Sequence, residues 1–175
     1  HDWYLSANLA EDANLDGHLI PGLSPRGVPR GLAGTALPFH YNNIDELEEI
    51  LIKNKGTMAA IVMETIRYDF PKDDFLHKVR ALADKYGFVL IFDEITVGFR
   101  LCTGGAHLFF GVNPDMAVFG KAMSNGHPMA AILGAEEVME AAQETFISST
   151  YWTDRLGPVA ALATIRKFKD QNVAE

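Results

Sequence analysis

The sequence predicts an α/β fold, a mostly parallel sheet with flanking helices, on three observations. Short apolar runs of strand length, at residues 58–63, 88–92, 116–119 and 129–134, are separated by helical periodicity or by glycine-bearing loops. The run at 88–92, Phe-Val-Leu-Ile-Phe, is apolar throughout and predicts a strand buried on both faces of a parallel sheet. The runs also deliver charge at their ends: Glu64 after the first, Asp93 and Glu94 after the second, Lys121 just beyond the third. In open α/β sheets ligands sit beyond the carboxyl ends of the strands, which is where these charges fall.

In chain order, residues 1–41 carry turn chemistry, with Pro21, Gly22, Pro25, Gly27, Pro29, Gly31, Gly34 and Pro38. The aromatics Trp3, Tyr4, Phe39 and Tyr41 argue for an ordered excursion that packs on the domain or on a partner subunit. Asn43 and Glu46 have capping-box spacing, and Ile44, Leu47, Ile50 and Leu51 form one helical face that Gly56 ends. Residues 58–63 form a strand. Residues 71–86 form the clearest helix, with Asp73 and Asp74 at its positive end and Phe75, Leu76, Val79, Leu82, Ala83 and Tyr86 along one face. The alternation of helix and strand implies parallel pairing through right-handed crossovers. Residues 101–111 read as a glycine-bearing loop, 136–144 as a short acidic helix, 148–156 as a polar turn, and 158–169 as a helix with Pro158 in its first turn.

With 175 residues, 48% hydrophobic and 22% charged, the chain has the balance of one globular domain. Its net charge of −8 disfavours a nucleic-acid partner, whose footprint is basic. The single cysteine, Cys102, forbids an intrachain disulfide and fits a reducing compartment, so the expected location is cytoplasmic. No apolar run approaches the roughly 20 residues of a membrane span. The six histidines are scattered without metal-ligand spacing, and no metal is assigned. The chain opens on His1 and is expected to be an internal fragment.

Lys121 is a solitary lysine among Gly120, Ala122, Ser124 and Gly126, small residues that let a ligand approach the backbone. Freed of its proton, such an amine forms an imine with a carbonyl. The plain alternative, a surface lysine in a turn, loses ground because Asp93 ends a neighbouring strand. A buried carboxylate there can keep the ring nitrogen of pyridoxal phosphate protonated, which that cofactor needs to act as an electron sink. Ile95 can press on a ring face, and Glu64 either joins the cluster or caps its strand. Ser148, Ser149, Thr150 and Thr153 suit phosphate at a helix start or simple capping. Asp93-Glu94 also has the form of a magnesium-binding Walker B element of a nucleotide hydrolase. Against that, the lysine block has Asp115 where a P-loop needs its first glycine and Ala122 where it needs a hydroxyl.

Glu64 in IVMET, Asp93 in LIFDEITVGFR, Lys121 in PDMAVFGKAMSNGHPMAA and Thr153 in STYWTDRLGP together resemble the class III pyridoxal-phosphate-dependent aminotransferases, in the branch around glutamate-1-semialdehyde 2,1-aminomutase. The resemblance implies a fold-type I transferase. Residues 1–175 would be a partial large domain, lacking the N-terminal part and the C-terminal small domain, and inactive alone. It implies pyridoxal 5'-phosphate as cofactor: Lys121 as the aldimine lysine and proton carrier, Asp93 on the pyridinium nitrogen, Ile95 on a ring face and Glu64 near the site. Thr153, in preference to Thr150, would reach the phosphate of the neighbouring subunit in a homodimer with interface active sites. The substrates would be a small-molecule amino donor and an aldehyde or keto acceptor, or a single substrate in the aminomutase reaction. The chain has Thr65 where the family commonly has proline, Ser124 to His127 where a glycine-rich run is usual, and Asp154 to Gly157 in place of Ser-Gly-Asn. Substrate-binding walls change at such positions.

Overall fold

A computed structural model describes residues 30–151 and 153–174, so most of the expected N-terminal excursion lies outside the described residues. The chain forms two compact units, His1–Ile50 and Leu51–Glu175. In the first, a 3-10 turn (Arg30–Leu32) is closed by Thr35, whose N–H and hydroxyl both donate to the Leu32 carbonyl. Helix α1 (Ile44–Lys53) starts on half of the expected capping box. The Asn43 side-chain oxygen accepts the Glu46 N–H at 3.2 Å. The Glu46 carboxylate, however, turns back to His40 and takes its backbone N–H at 2.7 Å. That bond is the leading reason the Glu46 carboxyl lies below its ordinary value.

The second unit is built on a four-stranded sheet in the order β1 (Ala60–Glu64), β2 (Val89–Asp93), β3 (Met116–Phe119), β4 (Ala131–Gly134). β1–β2 and β2–β3 are parallel, and β3–β4 is antiparallel. Helix α2 (Phe75–Tyr86) joins β1 to β2 and packs against β2. Its buried residues are five of the six that the periodicity marks: Phe75, Leu76, Val79, Leu82 and Ala83. Gly87 ends it in the left-handed region at φ 74°, its N–H on the Ala83 carbonyl. The helix begins four residues later than expected. Asp73 and Asp74 have left-handed backbones, at φ 50° and 62°, and Asp74 gives no side-chain cap, so they precede the helix and are not part of its first turn.

The sheet corrects a second expectation. Burial along β1, β2 and β3 alternates. Ile61, Met63, Leu90, Phe92, Ala117 and Phe119 form the dry face. Val62, Ile91 and Val118 share the other face, and Val62 is 62% exposed. The apolar run at 88–92 is therefore not buried on both sides among the described residues. The register places Glu64 beside Asp93, and Asp93 beside Val118, in one row on this open face.

The remaining differences are local. Helix α3 (Ala106–Phe110) interrupts the loop expected at 101–111. β4 begins at Ala131, two residues late. The acidic helix is split into α4 (Glu136–Met139) and a 3-10 turn (Glu140–Glu144). Helix α5 (Leu156–Gln171) starts before Pro158. Its Ala161 joins Phe99, Ala117, Phe119 and Met123 in a buried cluster, with Ile165 and Phe168 packed against it. No helix among the described residues is long and apolar enough to cross a membrane.

Candidate active site

Two strands and one turn assemble the site. β1 ends on Glu64, β2 ends on Asp93, and β3 leads through Gly120 into a 3-10 turn (Lys121–Met123). The parallel register brings three ends together that lie 29 and 28 residues apart in sequence, at 64, 93 and 121. Lys121 occupies the left-handed region at φ 44°, a conformation that costs a non-glycine residue of order 1 kcal/mol and collects at functional sites. The residues after it, Met123 and Ser124, are buried, and the Ser124 hydroxyl is tied to the His127 carbonyl. The anchored turn leaves Lys121 itself exposed. Its Nζ donates to the Thr96 hydroxyl at 2.9 Å.

Asp93 is half-buried. Its Oδ1 accepts the Ile95 N–H at 3.0 Å, its one hydrogen bond among the described residues. Ile95 sits over Gly120: a Cβ on that glycine would lie 3.5 Å from Ile95 Cγ2 and 3.8 Å from the Met129 carbonyl oxygen. Glu64 lies 3.4 Å from the Arg67 guanidinium. Burial pushes the Glu64 carboxyl above its ordinary value, and the negative charge of Asp93 adds to this. Arg67, Lys121 and a hydrogen bond with the Thr96 side chain pull it back. Glu64, Asp93, Thr96, Arg67 and Lys121 thus form one electrostatic group. Its donor set is two carboxylates, a hydroxyl and an amine, with an aliphatic wall at Ile95.

Glu94 takes the opposite direction. It is fully buried. Its carboxylate accepts the N–H groups of Ala106 at 2.9 Å and His107 at 3.0 Å, the His107 ring at 2.9 Å and the Thr65 hydroxyl at 3.3 Å. Burial alone would raise its carboxyl. The His107 ring, the two N–H groups and the imidazole charge together more than reverse that, so it lies below the ordinary range. Its own N–H donates to the Val118 carbonyl at 2.8 Å, and its carbonyl accepts from Gly98 at 2.8 Å. A Cβ at Gly98 would come within 2.6 Å of that carbonyl oxygen. Sealed in this way, Glu94 has no access to a metal-bound nucleotide or to water, which removes the Walker B alternative.

The other sequence candidates fall outside the cluster. Thr153 is exposed and makes no hydrogen bond among the described residues, whereas Asp154 closes the turn into α5 through the Leu156 N–H. Arg100 donates to the Thr96 carbonyl. Cys102 bonds to the Gly105 carbonyl and burial raises its thiol, as suits a packing residue. Sequence reasoning missed Thr96 and the Glu94–His107 pair. Nothing local marks Thr96, because its partner comes from another strand end. A glutamate in an apolar strand end followed by a histidine-bearing helix was a readable but weak signal for the pair.

The chain is similar to known proteins in sequence and in fold. The class-III aminotransferase family profile matches residues 36–175. The 3-aminobutyryl-CoA aminotransferase of Cloacimonas acidaminovorans is 45% identical over 146 residues, 79% of this chain and 35% of that protein. The glutamate-1-semialdehyde 2,1-aminomutase of Acetivibrio thermocellus is 37% identical over 148 residues, 81% of this chain and 35% of that protein. The chain therefore spans about a third of the length of the curated relatives it matches. In three dimensions it is similar to the FumI protein of Sphingopyxis sp. MTA144, solved in its PLP internal aldimine form. The TM-score is 0.80 at 23% identity, covering 94% of this chain and 40% of that one. It is also similar to an omega-transaminase from Sphaerobacter thermophilus, with TM-score 0.74 at 27% identity, covering 85% and 35%.

Proposed function

The chain belongs to the class-III aminotransferase family, and from that premise we propose that the full-length protein moves an amino group between an amino donor and an aldehyde or keto acceptor, using pyridoxal 5'-phosphate. The observation that carries this reading is that Lys121 and Asp93 stand at adjacent strand ends, with Thr96 bonded to the lysine and Glu64 on the far side of Asp93. The residues present fit the cofactor. Among the described residues the Asp93 carboxylate accepts one hydrogen bond, from its own loop, so it retains capacity to hold a proton on a ring nitrogen. Ile95 offers an apolar wall, and Gly120 leaves the backbone open beside it. When bound, pyridoxal phosphate supplies an electron sink for the substrate carbon being deprotonated.

Lys121 has two tasks in this reading. Its Nζ would add to a carbonyl carbon, the carbonyl oxygen leaving as water, and once a substrate amine has displaced it the same nitrogen would carry a proton to and from the substrate carbon. Its exposure beside a hydroxyl suits an atom that must swing between partners. Asp93 would orient the ring, and Glu64 and Arg67 would border the substrate side. Thr153 would serve a second subunit across a homodimer interface, which agrees with its exposure and its lack of hydrogen bonds among the described residues. The single cysteine fits a reducing cytoplasm.

The experiment is an absorbance spectrum of the full-length protein with pyridoxal phosphate, before and after borohydride, beside Lys121→Ala. A band near the visible edge, reduced onto Lys121 and absent in the variant, supports the reading. Its absence in the wild type overturns it. The aminomutase reaction is the second reading, favoured by the 37% identical relative from Acetivibrio thermocellus. Turnover of glutamate-1-semialdehyde with no second substrate would select it. A requirement for a separate amino donor would select transfer between molecules, as the name of the 45% identical relative suggests.

A further inference from the structure

We propose that Thr96 is a positioning residue for Lys121: the Thr96 hydroxyl presents a lone pair to the lysine amine and aims Nζ before covalent attachment. This rests on the reading of Lys121 as the attaching lysine. A hydroxyl has one hydrogen to donate and two lone pairs to accept with. Lys121 Nζ donates to Thr96 Oγ1 at 2.9 Å, which uses one lone pair. The Thr96 carbonyl is separately fixed by the Arg100 guanidinium, so the residue is held from both its backbone and its side chain.

The direction of that hold matters. Lys121 starts from a strained left-handed backbone on a turn whose next residues are buried, so the root of the side chain is set. The chain from Cβ to Nζ is flexible, and as an exposed side chain it has no packing to choose a rotamer. The hydroxyl is the partner that chooses one. Asp93 is left free of Thr96 and Lys121 in the hydrogen-bond pattern, as a group reserved for a ligand would be. Thr96 is not a generic strand-end cap, since among the described residues its hydroxyl bonds no backbone N–H.

The test measures attachment of pyridoxal phosphate to the cofactor-free full-length protein as a function of its concentration. The saturation constant reports reversible binding, and the limiting first-order rate reports bond formation. Thr96→Val keeps the shape and removes the hydroxyl. It should lower the limiting rate about tenfold with the saturation constant within twofold of wild type. Thr96→Ser should restore the rate. A wild-type rate in Thr96→Val overturns the proposal. So does equal loss in Thr96→Val and Thr96→Ser, or a change in the saturation constant alone. Failure of the wild type to attach through Lys121 instead overturns the cofactor reading on which the proposal depends.

Discussion

Two clusters of the same composition stand on either side of one peptide bond in this molecule. Glu64, Thr96 and Lys121 make the first; Glu94, Thr65 and His107 make the second. Each has a strand-end glutamate, a threonine and a group able to carry positive charge, and the two are interleaved in sequence at 64–65 and 93–96. What separates them is water and saturation. The second is dry, and its carboxylate makes four hydrogen bonds among the described residues. The first is open, with an exposed amine and capacity left on Asp93. A buried acid whose lone pairs are filled holds a loop in place, whereas an acid row with capacity to spare can receive a ligand. The dry cluster fixes residues 94–107, and this loop carries Ile95 and Thr96 to the open one.

The largest effects separate stability from chemistry. Lys121→Ala should abolish borohydride-trapped attachment entirely while leaving the urea midpoint near wild type. Glu94→Ala should do the reverse at the level of folding. It strands the Ala106 and His107 N–H groups in a dry site and should cost about 3–5 kcal/mol in urea unfolding. An unchanged urea midpoint in Glu94→Ala would break the comparison. Asp93→Asn should lower turnover roughly a hundredfold or more with a small change in stability, read as kcat beside the unfolding curve. Gly98→Ala places a methyl group 2.6 Å from the Glu94 carbonyl oxygen and should destabilise by about 1–3 kcal/mol.

The smallest effect is the sharpest in sign. Glu94 has a lowered carboxyl in the folded state, so its contribution to stability is present above the unfolded value of about 4.3 and is lost as pH falls through the folded value. Glu64 has a raised carboxyl, so its contribution is full below about 4.3 and is lost as pH rises through the folded value. Unfolding measured from pH 3 to 7 should therefore give difference curves of opposite slope, wild type minus Glu94→Gln against wild type minus Glu64→Gln. Slopes of the same sign would show that the two acids do not differ as described.

Helix periodicity was legible because α2 buries five of its face residues within one helix, a pattern that needs no distant partner. The strand ends were legible because charge after an apolar run is a local signal, and Glu64, Asp93 and Lys121 all came from it. Other features were not. The left-handed backbones of Asp73 and Asp74 delayed the helix against a charge pattern that favoured an earlier start. The jobs of Asp93 and Glu94 could not be told apart from two adjacent letters.

By itself the sequence determined the α/β order and the three charged strand ends, and it marked Lys121 and Asp93 as candidates for one chemistry, because propensity, periodicity and motif spacing act along the chain. Tertiary structure alone decided which acid is dry, that Thr96 holds the lysine, and that one sheet face stays open. Those outcomes depend on register and on the pleat, which sends successive side chains to opposite faces. One residue of offset at the end of β2 is all that divides Asp93, in the open row, from Glu94, in the sealed one.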